Sequence, residues 1–378
     1  MEGRQVWIEI SLLEHWGAEP HGIPRVAQSI FRCGLRRQDV RWFYYHRTRR
    51  VFMAIQRGVS LEGLASSITS FGPDMLPDDV PLEAVLRPRE RILFSEVGWD
   101  HPSYFSALIR LRGKCPFVVF GYLVHDLIAI KFPHFFELDF GARVREFLRA
   151  LPQVCDLYVC VSNSTAHDVR ELLDPFAETA VVKLGCDVAD VREGKMESAG
   201  AGYVLCTATM EVRKNHLLLY FVWRNLAQEL GQACPKLLLI GRPGWLAGDV
   251  LHLFAHDPIL EGLVEIRSGV SDDRMVSFIK GSLFTVFPSF YEGVGLPVCE
   301  SYFHKKVCVT SNTSSLPEIN PFPELMFDPY DYQQAFQIIR SLVITPTLVS
   351  QYEAKIPSVF FHQTWSQCVD ELVAIMSR

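Results

Sequence analysis

Short apolar runs alternate with segments of helical period along the chain. The runs Val6–Ile10, Ile92–Phe94, Phe117–Val124, Leu157–Val161, Ala180–Leu184, Tyr203–Cys206, Lys236–Ile240, Val264–Ile266, Leu283–Phe287 and Lys306–Val309 predict strands. Between them, Pro24–Arg37, Ser164–Leu173, Asn215–Leu230, Asp272–Lys280 and Gln333–Leu342 carry the helical spacing, and Trp365–Met376 closes the chain as an amphipathic helix. Strand–helix alternation implies an α/β fold with parallel sheets covered by helices on both faces. The central runs are continuously apolar, as doubly covered strands must be.

At 378 residues the chain is too long for a single core, so two domains are expected. The segment Asp190–Gly202 is polar, bears glycines and has no period, and is the expected linker. It divides the chain into two doubly wound, Rossmann-like halves, 1–188 and 189–361, with helix 362–378 returning to the first. Such sheets place ligands at the carboxyl ends of their strands.

Composition narrows the function classes. A net charge of −6 gives no global field for nucleic acid. The charge is uneven, however. Between Arg25 and Arg50 stand eight arginines against the single acid Asp39, with Trp42, Phe43, Tyr44 and Tyr45 among them. That stretch reads either as an anionic-membrane or polyanion surface or as a solvated face. The ten cysteines include no CxxC pair and sit mostly in apolar runs, which suggests buried thiols in a reducing compartment. The polar start Met1–Gln5 is not that of a signal peptide, and no apolar run reaches the ~18 residues of a membrane span. A cytoplasmic protein is expected, with the 25–50 stretch as its contact to the inner membrane face.

Chemistry concentrates after the strand Leu283–Phe287, in Pro288-Ser289-Phe290-Tyr291-Glu292-Gly293-Val294-Gly295-Leu296-Pro297. This is strand, glycine turn and helix start, with a proline early in the helix. Gly293 and Gly295 let backbone approach a ligand, and a helix N-terminus attracts phosphate. Glu292 and Glu300 flank the turn with seven residues between them and can serve hydroxyl-rich groups at either end of a diphosphate.

The string Glu292–Glu300 resembles the signature of glycosyltransferase family 4, two glutamates seven residues apart on a GT-B fold. Further strings resemble that family in the same order: Cys206-Thr207-Ala208-Thr209-Met210-Glu211-Val212-Arg213-Lys214-Asn215-His216, then Leu239–Trp245, then Ser311–Glu318. Val161–Thr165 and Gly185–Asp187 match the end of its first domain. The resemblance implies two Rossmann-like domains facing a cleft and retaining transfer from a nucleotide sugar, without a metal. The donor diphosphate would meet Lys214, Arg213 and helix N-termini. Gly22, Thr209, Gly241, Arg242, Gly293, Val294, Gly295 and Leu296 would complete the donor site. Glu292 would hold the transferred sugar, Glu300 the ribose, and His125 would stand near the sugar. Asp126 and Arg25 fall on the acceptor side; for Arg25 the basic face of its own helix explains the charge equally well. Many relatives carry an arginine where Thr209 stands, which leaves the diphosphate with fewer charges.

No Asp-x-Asp string of metal-dependent transferases occurs in a suitable loop; Asp78-Asp79 and Asp272-Asp273 are adjacent pairs. A dehydrogenase would need GxGxxG after its first strand. Ser11-Leu12-Leu13 follows that strand instead, and Gly200-Ala201-Gly202 precedes one. A catalytically idle scaffold would not need Glu292, Glu300, Lys214 and His125 together. GDP-mannose is the expected donor, because relatives with a Gly-Ile-x-Arg-Val string such as Gly22–Val26 often use it; a dTDP- or UDP-linked sugar such as rhamnose is the alternative. The expected acceptor is a glycan or lipid-linked glycan.

Overall fold

The computed structural model describes residues 5–11, 22–55, 80–95, 98–187 and 202–378. Leu12, Leu13, His21, Asp78, Asp79 and the expected linker up to residue 201 lie outside the described residues. The chain forms two compact units. The first comprises Met1–Lys131, Leu138–Gly185 and Gln363–Arg378; the second comprises Phe132–Glu137 and Cys186–His362.

The first unit is built on β1 (Val6–Glu9), β2 (Val40–His46), β3 (Val51–Ala54), β4 (Val80–Pro81), β5 (Arg91–Phe94), β6 (Val119–Val124), β7 (Leu157–Cys160) and β8 (Thr179–Val181). They form one sheet in the order β4-β3-β2-β1-β5-β6-β7-β8. It is parallel from β2 to β8 and antiparallel at the β2–β3–β4 edge. That edge departs from the sequence reading of residues 25–50. Trp42, Phe43, Tyr44 and Tyr45 are consecutive core residues of β2, at most 5% exposed. Four aromatics in a row fill both faces of a covered strand rather than a membrane-facing stripe. Trp42 meets Phe31 edge-on at 4.9 Å, and Phe43 meets Phe94 at 5.5 Å. Only the arginines remain outside: Arg32, Arg36, Arg49 and Arg50 are exposed, while Arg37 pairs with Asp39 and Asp370.

The C-terminal helix Trp365–Ser377 packs into this unit. Thr364 and Gln367 close its start as a capping box. Gly185 gives it room, since a Cβ there would stand 2.4 Å from the Trp365 nitrogen.

The second unit carries β9 (Tyr203–Thr207), β10 (Lys236–Ile240), β11 (Val264–Arg267), β12 (Thr285–Phe287), β13 (Cys308–Ser311) and β14 (Met326–Phe327). Their order is β11-β10-β9-β12-β13-β14, and every pairing is parallel. Each strand leads to a helix: His216–Leu230, Gly248–His256, Asp272–Gly281, Leu296–Phe303, Leu316–Ile319 and Tyr332–Ile344 follow β9, β10, β11, β12, β13 and β14. Because all strands run the same way, the loops that follow them share one edge of the sheet. Trp223, Leu237, Leu239, Val286, Val309 and Ile339 lie in the core beneath that edge.

Candidate functional site

The loops after β9 and β10 continue the pairing of their strands. Ala208 N donates to Ile240 O at 3.0 Å, Met210 N to Arg242 O at 2.8 Å, and Gly244 N to Met210 O at 2.8 Å. This approach explains Gly241, where a Cβ would lie 1.8 Å from the Ala208 oxygen. Thr209 and Arg242 are both exposed on the paired loops.

Arg213 and Lys214 stand just before the helix that follows β9. They occupy a single 3-10 turn, Val212–Lys214. Asn215, at φ 57°, then resets the backbone, its amide donates to Pro329 O at 2.9 Å, and the helix begins at His216. The turn aims both cations at the signature loop. Lys214 Nζ stands 2.6 Å from Glu292 Oε1, and Arg213 Nη1 stands 2.8 Å from Oε2. Arg213 also donates to Glu211 Oε1 at 2.7 Å and to Tyr291 O at 3.0 Å. The Lys214 ammonium lies over the Phe287 ring.

The four side chains form a largely buried cluster with two positive and two negative charges. Burial alone would raise the Glu292 pKa. The nearby charges of Arg213 and Lys214 outweigh it and hold the group down at about 2. Glu292 is therefore ionised throughout the physiological range. A carboxylate offers about four lone-pair sites, so it can still accept hydroxyl hydrogen bonds beside its two cations.

The signature loop is laced from the next turn. Glu292 N donates to Ser314 Oγ at 2.9 Å; Ser315 Oγ donates to Glu292 O at 3.1 Å and to Val294 O at 2.8 Å. Thr313 Oγ1 donates to Phe290 O at 2.9 Å, and Ser311 Oγ donates to Ser289 O. Gly293 is buried in the loop. Gly295 caps the helix at φ 96°, against Leu316, and Leu296 is the first helical residue. Glu300, 7% exposed, is buried on that helix. Burial first, and then the Asp187 and Glu300 charges, push the Cys186 thiol up to about 12, which places Glu300 near that cysteine.

The remaining sequence candidates belong to the first unit. Gly22 sits at φ 62°, in the glycine-favoured region, and its carbonyl accepts from Arg25 N at 3.1 Å. His125 and Asp126 follow β6 directly. Burial pulls the His125 pKa down to about 4, so its imidazole is neutral near pH 7. Asp126 Oδ1 accepts from Ile128 N at 3.0 Å, an Asx turn just before the short helix Ile128–Lys131.

Glu211 and Ser311–Ser315 lie within the family-like strings, where nothing in the sequence marks a role for them. Glu211 is legible only as a third carboxylate two residues before Arg213. The serine contacts join residues more than twenty apart and had no local signal. Among the described residues, no group of three or more His, Cys, Asp or Glu is placed to hold a metal, and no helix is long and apolar enough to cross a membrane. All ten cysteines are free thiols.

Two units built on largely parallel sheets, each with its loops at the strands' carboxyl edge, have the architecture of the GT-B fold. Sucrose-phosphate synthase from Thermosynechococcus elongatus has that fold too: TM-score 0.69 at 16% identity, over 98% of each chain. Residues 201–344 match the family described as "Glycosyl transferases group 1". Among curated proteins the chain is similar to the O-antigen chain mannosyltransferase B of Escherichia coli, 30% identical over 55% of this chain and 56% of that protein. It is also similar to the serotype-specific mannosyltransferase WbdA of E. coli, 25% identical over 79% of this chain and 37% of that protein. The chain thus spans between about a third and just over half the length of these relatives.

Proposed function

We propose that this chain is a retaining glycosyltransferase that moves a hexose from a nucleotide sugar to a glycan or lipid-linked glycan in surface-polysaccharide synthesis, without a metal. One observation carries the reading: an ionised, buried carboxylate, Glu292, held by Lys214 and Arg213 on a strand–glycine–helix turn. In this reading Glu292 accepts hydroxyls of the transferred sugar and Glu300 those of the ribose. The two cations and the helix N-termini stabilise the departing diphosphate, the main catalytic contribution such a site offers. Glu211 and Glu292 already balance Arg213 and Lys214, so we assign Arg242, on the loop paired with Thr209, as the further donor cation. Retention follows from front-face attack, the leaving phosphate taking the acceptor's proton, with no carboxylate nucleophile. His125 contacts the sugar as a neutral imidazole, with Gly22 on the donor side and Arg25 and Asp126 on the acceptor side.

GDP-mannose is the proposed donor, supported by the likeness to O-antigen mannosyltransferases; dTDP- and UDP-sugars are the alternatives. We place the protein in the cytoplasm, with contact to an anionic membrane resting on the exposed arginines of 25–50. Failure to sediment with anionic liposomes at low salt would remove the membrane from this reading.

The test of the transfer reaction is thermal shift against GDP, UDP, dTDP and ADP, then donor turnover by the wild type and by Glu292→Gln. The amide keeps the shape of the site. The variant should lose transfer by a factor of ~100 or more while still binding the nucleotide, in line with the loss of one preorganised charge. Full transfer by Glu292→Gln would overturn the role of Glu292.

A further inference from the structure

Beside Glu292 the second unit carries a run of aromatic rings that the donor site does not use. Tyr330 packs on Phe290 at 5.0 Å between centroids, and Phe290 stacks on Phe135 at 5.5 Å and 19°. Phe135 meets Phe132 at 5.5 Å, and Phe132 meets Tyr291 at 5.1 Å. Phe132 and Phe135 come from the excursion Phe132–Glu137, which groups with this unit. Only Phe135 is buried; Phe132, Phe290 and Tyr291 are half-buried, and Tyr330 is 73% exposed.

We propose that this surface is the docking platform for the sugar rings of a glycan acceptor. The inference rests on the transferase reading and deepens it. A pyranose has an apolar C–H face and a girdle of hydroxyls. The C–H face suits the electron-rich face of an aromatic ring, and the hydroxyls suit carboxylate and amide acceptors. Tyr330 supplies the first, and the exposed Asp328, Asp331 and Gln333 around it supply the second.

The platform is fixed to the site. Arg213 holds the Tyr291 carbonyl through Nη1, the same nitrogen that donates to Glu292. The Phe290 amide donates to Arg213 O at 2.9 Å, and the Asn215 amide ties the turn before Tyr330. A glycan lying on these rings therefore ends beside the carboxylate that holds the transferred sugar. Two features favour a glycan over a nucleobase. Five rings rather than one take part, and none of them comes from the helix that carries Glu300.

The test uses disaccharides of mannose, glucose, galactose and rhamnose as probes, observed by saturation-transfer NMR on the full chain, with GDP, UDP and dTDP binding measured in parallel. Tyr330 is exposed, so its replacement does not threaten folding. Tyr330→Ala should weaken the best disaccharide by about tenfold, while Tyr330→Phe, which keeps the ring, should bind like the wild type. Nucleoside diphosphate binding should be unchanged in both. Unaltered disaccharide binding in Tyr330→Ala would overturn the proposal, as would the absence of any disaccharide signal in the wild type. Loss of nucleotide binding in Tyr330→Ala would make the platform a base site and overturn it too. A wild type that binds no nucleoside diphosphate would instead sink the transferase reading, a separate signal.

Discussion

Gly241 shows how one residue decides whether the site can be assembled. The sequence suggested a ligand-facing role for it, but its immediate neighbour is protein: the Ala208 carbonyl fills the place a Cβ would take. That contact carries the loops of Thr209 and Arg242 side by side. Backbone cannot move aside as a flexible side chain can. Gly241→Ala should therefore cost the second unit about 1–3 kcal/mol or more, as overpacking does. The urea midpoint of that unit measures it, and an unchanged midpoint would refute the close approach. Glu292 is also clearer at this scale. The sequence identified the carboxylate and the two cations, but not that they bind one another across 78 and 79 positions. Periodicity and spacing report neighbours along one element; they hold no distance between elements.

At the scale of elements, the legible parts were those whose pattern is purely local. Five strands of the second unit, β9 to β13, appear within one or two residues of the expected runs, while the two-residue β14 is too short to leave a pattern. The helix after β12 begins at Leu296, where glycine and proline placed it. The β2–β4 edge was missed because arginines flank the aromatic run on both sides, and their charge outweighed a strong β signal at Val40–Tyr45. The lacing of the signature loop was illegible for a different reason: serine and threonine hydroxyls bond wherever the fold brings a carbonyl. Ser315 is the central lace, because one hydroxyl serves the carbonyls of Glu292 and Val294. Its removal takes away the one hydroxyl proton that these two carbonyls share, at a net cost of roughly 1–3 kcal/mol. Ser315→Ala should thus raise hydrogen exchange at the amides of residues 292–296 and reduce transfer, with the six strands unchanged. Equal exchange in variant and wild type would show that the loop is held by something else.

At the scale of the whole molecule, the ionisable groups kept in one form by burial make stability depend on pH in two separate windows. In the first unit burial lowers the His125 pKa from 6.5 to about 4. In the second, burial and then the Lys214 charge lower that of His216 from 6.5 to about 4. A histidine lowered in this way binds its proton in the unfolded chain first. Both units should therefore be most stable above about pH 6.5 and lose stability as the pH falls towards 4, with no further loss from this source below that. For His216, the more buried, the loss is of order 3 kcal/mol. Glu292 acts lower down. Its pKa is reduced from 4.5 to about 2, so its contribution is complete above about pH 4.5 and disappears as the pH falls through 2. Because Glu292 lies in the second unit, only that unit should show the lower window on its account. Denaturant unfolding followed at pH 7, 5.5, 4 and 3 reads both windows. The Trp223 indole, fully buried in the second unit, provides a local signal for that half. In Glu292→Gln the lower window should shrink while the upper one persists, since the amide does not titrate and the histidines are untouched. A stability curve flat from pH 6.5 to 4, or a lower window equally deep in the variant, would contradict this assignment of charges.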